Sequence, residues 1–234
     1  MNNVLIIFKK EFRTYFNSPI AYVVIVLFLT LCGIFFVMPL FITGQATTRH
    51  LIDLLPLFSL FFVPAITMRL LSEEIKSGTI EILSTLPMTE EEIIIGKYLS
   101  GAALYGICIA ATLFYPLFLS LLGKIDWGQT IGADIGIIMI GSMFAATGIF
   151  SSALSKNQII SFITSFVICF LFFIIGQTAA LMPPFLGKIV SFMGISSHLE
   201  NFSRGILDSR DIIYFISITA FFLYATLAVM KTKK

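Results

Sequence analysis

The sequence predicts an all-α integral membrane protein: six transmembrane helices, both termini inside (N-in/C-in), and an N-terminal amphipathic interfacial helix. Three observations predict it. Hydrophobic residues make up 58% of the 234 and charged ones only 12%, with a mean hydropathy of +0.99, whereas a water-soluble core of this length needs far more polar surface. Apolar runs of roughly 20 residues recur, long enough to cross a hydrocarbon layer of ~30 Å. Lys and Arg also divide unevenly between the connecting segments. With both termini inside, the inner set is Lys9, Lys10, Arg13, Arg69, Lys76, Lys97, Lys156, Lys231, Lys233 and Lys234, and the outer set is Arg49, Lys124, Lys188, Arg204 and Arg210. Positive charge gathers on the cytoplasmic side of membrane proteins, which selects this orientation.

The spans fall at about 20–42, 51–71, 98–122, 131–154, 159–182 and 211–230, read in windows of roughly 20 residues. They leave no room for a separate soluble domain, so residues 1–234 form a single membrane domain. Before the first span, residues 1–18 carry Val4, Phe8, Phe12 and Tyr15/Phe16 at helical spacing, with Lys9, Lys10 and Arg13 between them. The pattern suits a helix lying among the inner headgroups, its cations near anionic lipid; a short solvated tail is the alternative. Asn17-Ser18-Pro19 supplies a cap and a first-turn proline for span 1. Span 2 holds Pro56 and Pro64, which remove backbone donors and serve either as a hinge or as packing features.

Residues 72–97 form the long polar segment between spans 2 and 3. Gly78 suits the C-cap of a short helical turn, and Thr89-x-x-Glu92 is a capping box opening the helix that runs through Gly96-Lys97 into span 3. Trp127 belongs at an interface in the turn before span 4. Span 4 carries the pairs Gly132/Gly136, Gly141/Ala145 and Gly148/Ser152, small residues that let helices approach closely. In the outer segment 183–210, Phe192, Ile195, Leu199, Phe202 and Ile206 recur at three to four residues. That is either one or two short amphipathic helices that shield or line an exit path, or a surface loop with a buried stripe.

Several classes are excluded or disfavoured. No small-residue cleavage site follows the first long apolar run, so the N-terminus does not read as a signal peptide. Cys32, Cys108 and Cys169 each sit within a span and read as packing residues. A net charge of +2 gives no reason to expect nucleic acid. The chain has no phosphate-cradling G-x-x-x-x-G-K-[ST], no H-E-x-x-H and no G-x-S-x-G, so it carries no catalytic residues of those kinds. His50 and His198 stand alone in different outer segments, and no metal site is expected. Asp53 and Asp134 are possible polar sites near the outer boundary; no acid lies near a span midplane, which counts against proton- or sodium-driven transport.

The run Pro64-Ala65-Ile66-Thr67-Met68-Arg69, then Ser72-Glu73-Glu74, Lys76-Ser77-Gly78-Thr79-Ile80-Glu81, Leu86-Pro87 and Gly96-Lys97, resembles the ABC-2 type exporter permeases. Lys9-Lys10-Glu11-Phe12-Arg13 with Ser18-Pro19 looks like the family's amphipathic connecting helix. Gly148-Ile149-Phe150-Ser151-Ser152 with Asn157-Gln158 and Arg204-Gly205 with Arg210–Phe215 look most like the gliding-motility-associated branch. The resemblance implies a permease subunit in a bacterial cytoplasmic (inner) membrane, dimerised as a homodimer or with a related permease. It would work with two copies of a cytoplasmic ABC ATPase that holds the ATP and Mg, this chain binding no cofactor. Substrate would be moved outward. In the coupling loop, Glu73, Glu74, Lys76 and Glu81 would be charged contacts to the ATPase, with Gly78 and Thr79 setting the turn; a solvated loop face is the other reading of these acids. An ATPase-driven membrane module acting on a cell-envelope partner without transport is the alternative function, and a membrane-embedded enzyme a third.

Overall fold

The computed structural model describes residues 3–43, 49–79, 88–121, 123, 125–179, 182–206 and 208–232. Helices account for every regular element among them: α1 (Asn3–Asn17), α2 (Ile20–Thr43), α3 (Arg49–Thr67), α4 (Ser72–Ser77), α5 (Glu90–Thr112), α6 (Phe114–Ser120), α7 (Trp127–Leu154), α8 (Gln158–Thr178), α9 (Pro184–Met193), α10 (Ile195–Ser203) and α11 (Ser209–Thr232). Among the described residues six stretches are long and apolar enough to cross a membrane, one for each expected span.

The ends of the spans follow local chemistry. The capping box opens α5 as expected: Thr89 Oγ1 accepts from the Glu92 amide, and the Glu92 carboxylate accepts from the Thr89 amide. The third span, expected unbroken to residue 122, instead breaks at Leu113 between α5 and α6. Pro116 stands three residues later, and its ring clashes with the carbonyl four positions back, at Thr112, where α5 stops. The fourth begins at Trp127, four residues before the apolar run, because the Asp126 carboxylate accepts from the Gly128 and Gln129 amides. The second ends as α3 at Thr67 rather than 71, and the fifth as α8 at Thr178 rather than 182. α3 runs through Pro56 and Pro64 as one helix.

α7 is the spine. Of its most apolar window 72% is buried, against 17% for α8 and 28% for α2, so the other helices are arranged around it. α3, α5, α8, α10 and α11 all pack on it. Its small residues each admit one neighbour. A methyl on Gly136 would meet the Phe202 side chain at 2.7 Å, one on Gly141 the Tyr105 ring at 2.0 Å, and one on Gly148 Thr67 Oγ1 at 1.9 Å. The small-residue pairs thus mark where α10, α5 and α3 come closest to the spine. α2 lies outside this group and buries one stripe, Ala21, Val24, Phe28, Cys32 and Phe36, at a helical spacing of three to four.

α1 is not a solvated tail. It packs along the first half of α5, with Ile7 and Tyr15 buried; a methyl on Gly96 of α5 would lie 2.8 Å from Ile7 Cβ. The segment after the fifth span forms two short helices, α9 and α10, bent at Gly194.

Candidate functional site

Of the charged loop residues singled out in the sequence, Glu73, Glu74 and Lys76 lie where α1, α3, α4, α5 and α7 meet. α3 stops at Thr67, a turn follows over 68–71, and α4 runs for six residues before Gly78 ends it at φ 72°, the left-handed conformation glycine adopts without strain. A helix start leaves several backbone N–H groups unpaired, and α4 has no capping side chain of its own. Ser152 of α7 supplies one. Its hydroxyl accepts from the amides of Leu71 (3.0 Å) and Ser72 (2.9 Å) and donates to the Met68 carbonyl (2.8 Å).

The inner face of α4 carries Glu74, which turns toward the bundle. Lys97 of α5, 1% exposed, donates from Nζ to Glu74 Oε1 at 2.7 Å and to Glu11 Oε1 of α1 at 2.9 Å. Lys10 adds a weaker cation, 3.7 Å from Glu11. Taking an ammonium out of water costs several kcal/mol, recovered only where partners are close and hydrogen-bonded; two carboxylates at under 3 Å meet that condition. The buried Glu74 Oε2 has no hydrogen-bond partner.

Two further contacts tie α1 to the same place. Tyr15 donates its hydroxyl to the Ile66 carbonyl at 2.8 Å, satisfying one of the free carbonyls at the end of α3. Arg69 lies over the Tyr15 ring, its guanidinium carbon 4.8 Å from the centroid. Burial pushes the Tyr15 phenol well above its ordinary range, and Arg69 opposes that shift. At the other end of α1, Asn3 donates to both oxygens of Glu92 (3.2 and 3.0 Å), so the residue that caps α5 also holds α1.

Four sequence candidates lie on the outside of this junction: Glu73, Lys76, Gly78 and Thr79 are exposed, and the Thr79 hydroxyl lies 2.9 Å from that of Ser77. Glu81 lies outside the described residues. Lys9, Lys10 and Arg13 are exposed on α1, while Phe12 is half-buried within a stacked run, 5.5 Å from Phe8 and 5.1 Å from Phe16. Asp53 and Asp134 are elsewhere. Asp53 lines a cavity of about 370 Å³ at the opposite end of the bundle, with Arg49, Gln177 and Glu200; Asp134 is half-buried on α7 and does not line it.

Residues 5–234 match the family model described as ABC-2 family transporter protein. The chain belongs to the ABC-2 transporter family. No curated protein matches it. As an ABC-2 permease it is a membrane component of an ABC transporter, its family is distinct from the ATPase, and that family implies an ABC ATPase partner. The permease's loop motif therefore contains two kinds of residue. Glu73 and Lys76 are free to meet a partner, whereas Glu74 is committed to Lys97.

Lys97, Glu11, Tyr15 and Ser152 were not legible as a site. Lys97 stood out as a cation before a span and as part of the Gly96-Lys97 motif, with nothing to pair it with Glu11, 86 positions away. His198, which looked isolated, is buried against Asp211, with Nδ1 2.6 Å from Oδ1. Its partner Asp211 was visible as the start of the sixth span and within the Arg210–Phe215 run, but not as a partner for His198.

Proposed function

We propose that this permease couples ATP hydrolysis on a separate cytoplasmic ATPase to outward movement of a substrate across a bacterial inner membrane. It works as one of two permease subunits, identical or related, with an ATPase under each. The α4 end of the bundle faces the cytoplasm, which sets Lys9, Lys10 and Arg13 against the anionic inner leaflet. The observation that carries this reading is the two-sidedness of α4: Glu73 and Lys76 face outward while Glu74 is bound inward to Lys97, which also holds Glu11. A push on the outer face is therefore delivered to α1, α5 and, through Ser152, to α7. Packed helices respond by shifting as bodies rather than by deforming. The likeness to the gliding-associated branch is a finer reading that rests on residues 148–158 and 204–215 alone.

The test is purification of the tagged chain from native membranes in mild detergent, with mass spectrometry of what accompanies it. A soluble P-loop ATPase is expected, and Glu73→Arg with Lys76→Glu should release it while the permease stays in the membrane. Purification of the chain without any ATPase, or retention of the ATPase by the reversed variant, would overturn the docking role.

A further inference from the structure

The end of the bundle opposite α4 holds a second buried ionic group. His198 of α10 is 3% exposed and Asp211 of α11 is 4% exposed. The imidazole Nδ1 lies 2.6 Å from Asp211 Oδ1, and Nε2 lies 2.9 Å from the Phe192 carbonyl oxygen. A carbonyl only accepts, so Nε2 carries a hydrogen. The Nδ1–Oδ1 contact needs a second hydrogen between the two atoms, whichever of them holds it. Asp211 Oδ2 meanwhile accepts from the Asn201 amide at 2.9 Å. The pair thus holds one proton more than a neutral imidazole beside a carboxylate.

That proton closes a helix end. Three successive carbonyls at the C-terminus of α9 each accept from a side chain: Ser191 from Ser197 Oγ (2.5 Å), Phe192 from His198 Nε2 and Met193 from Tyr214 Oη (2.6 Å). Carbonyls at a helix end lack the amide of a following turn, and positive charge near them is favoured by the helix dipole; the Ser191 carbonyl also accepts from the Gly194 amide at 3.2 Å. The joint itself is close-packed: a methyl on Gly194 would lie 2.2 Å from Gly176 Cα of α8, and swinging α9 away from α10 and α11 breaks these caps. The ionisable groups in contact with His198 are Asp211 and Tyr214, both from α11; Tyr214 stacks on the imidazole at 4.0 Å. α9 presents the Phe192 ring and carbonyl, α8 meets the joint through Gly176, and α7 meets α10 through Gly132 and Gly136. Glu200, two residues along α10, is exposed and paired with Arg204.

We propose that His198 and Asp211 form a proton-binding site that latches α9 onto α10 and α11. When the shared proton passes to solvent, the pair can satisfy the Phe192 carbonyl or the Nδ1–Oδ1 contact but not both. The latch opens, and α9, whose Phe185, Ile189 and Phe192 are already exposed, comes free at its C-terminal end.

The test uses the full chain in phosphatidylcholine nanodiscs, in a His50→Gln background so that one histidine reports. Ring ¹⁵N shifts at neutral pH should show Nε2 protonated and a hydrogen shared between Nδ1 and the carboxylate. Amide protection over 189–195, corrected for intrinsic exchange, should fall about tenfold per pH unit once the proton leaves, as one linked proton requires. In Asp211→Asn the amide nitrogen donates to Nδ1 and its oxygen accepts from Asn201, so the latch closes without the extra proton. Protection should then stay high with a flat pH profile although Tyr214 is unchanged, while Asp211→Ala should be open throughout. A pH-dependence shared by the wild type and Asp211→Asn would overturn the proposal. So would ring shifts in the wild type showing either nitrogen without its hydrogen while α9 stays protected, a readout independent of whether any variant folds.

Discussion

Lys97 shows how one side chain organises a junction. Its ammonium is the close partner of both Glu11 and Glu74, so replacing it leaves two carboxylates facing each other in a poorly hydrated space. Lys97→Met should lower unfolding stability by about 3–5 kcal/mol, the usual result of stripping one partner from a buried ionic group. Adding Glu11→Gln and Glu74→Gln should recover much of that loss, which thermal unfolding in detergent would measure. If the triple variant is no more stable than Lys97→Met, the ionic group is not what holds the three helices. Ser152→Ala should cost about 1–3 kcal/mol, because the Leu71 and Ser72 amides lose their acceptor while still buried; hydrogen exchange at those two amides would rise first. None of this was readable from spacing. The Thr89–Glu92 box was, because both of its partners lie within one turn, whereas Lys97–Glu11 and Ser152–Ser72 are contacts made only by folding.

The elements differ in how much of themselves the chain reveals. Apolar length was sufficient to find every span, since a membrane demands roughly 20 such residues and tolerates few charges. It was insufficient for their ends. Pro116 stops α5 within an apolar run, and Asp126 starts α7 before one, so hydropathy and capping chemistry disagree there and capping wins. The small residues of α7 announced close packing without saying against what. Gly148→Ala should separate α3 from α7, because the added methyl meets Thr67 Oγ1 at 1.9 Å and Thr67 Cβ at 2.8 Å. A loss of about 1–3 kcal/mol is expected from such overpacking. Thr67→Ala in the same chain should restore only part of it, since the Cβ contact is left in place; full restoration or none would both contradict the geometry.

Across the whole molecule, the proposed docking contacts and the contacts that hold the fold fall on different residues of one loop. Glu73→Arg with Lys76→Glu should leave unfolding within about 0.5 kcal/mol of the parent, as exposed substitutions do, while abolishing ATPase retention. Lys97→Met should do the reverse in degree, losing stability first. Melting curves read beside pull-downs would separate the two, and a destabilised Glu73/Lys76 variant would show that α4 is less two-sided than its geometry. The cap on α4 has a further consequence for the order of synthesis. Ser72 and Ser152 are 80 positions apart, which at about 5–20 residues per second is about 4–16 s of translation. During that interval the ribosome has already delivered α4, yet the hydroxyl that closes its first turn does not exist. If α4 docks the ATPase as proposed, a nascent permease halted before residue 152 would offer it an unfinished surface, and assembly would wait for the fourth span to be made.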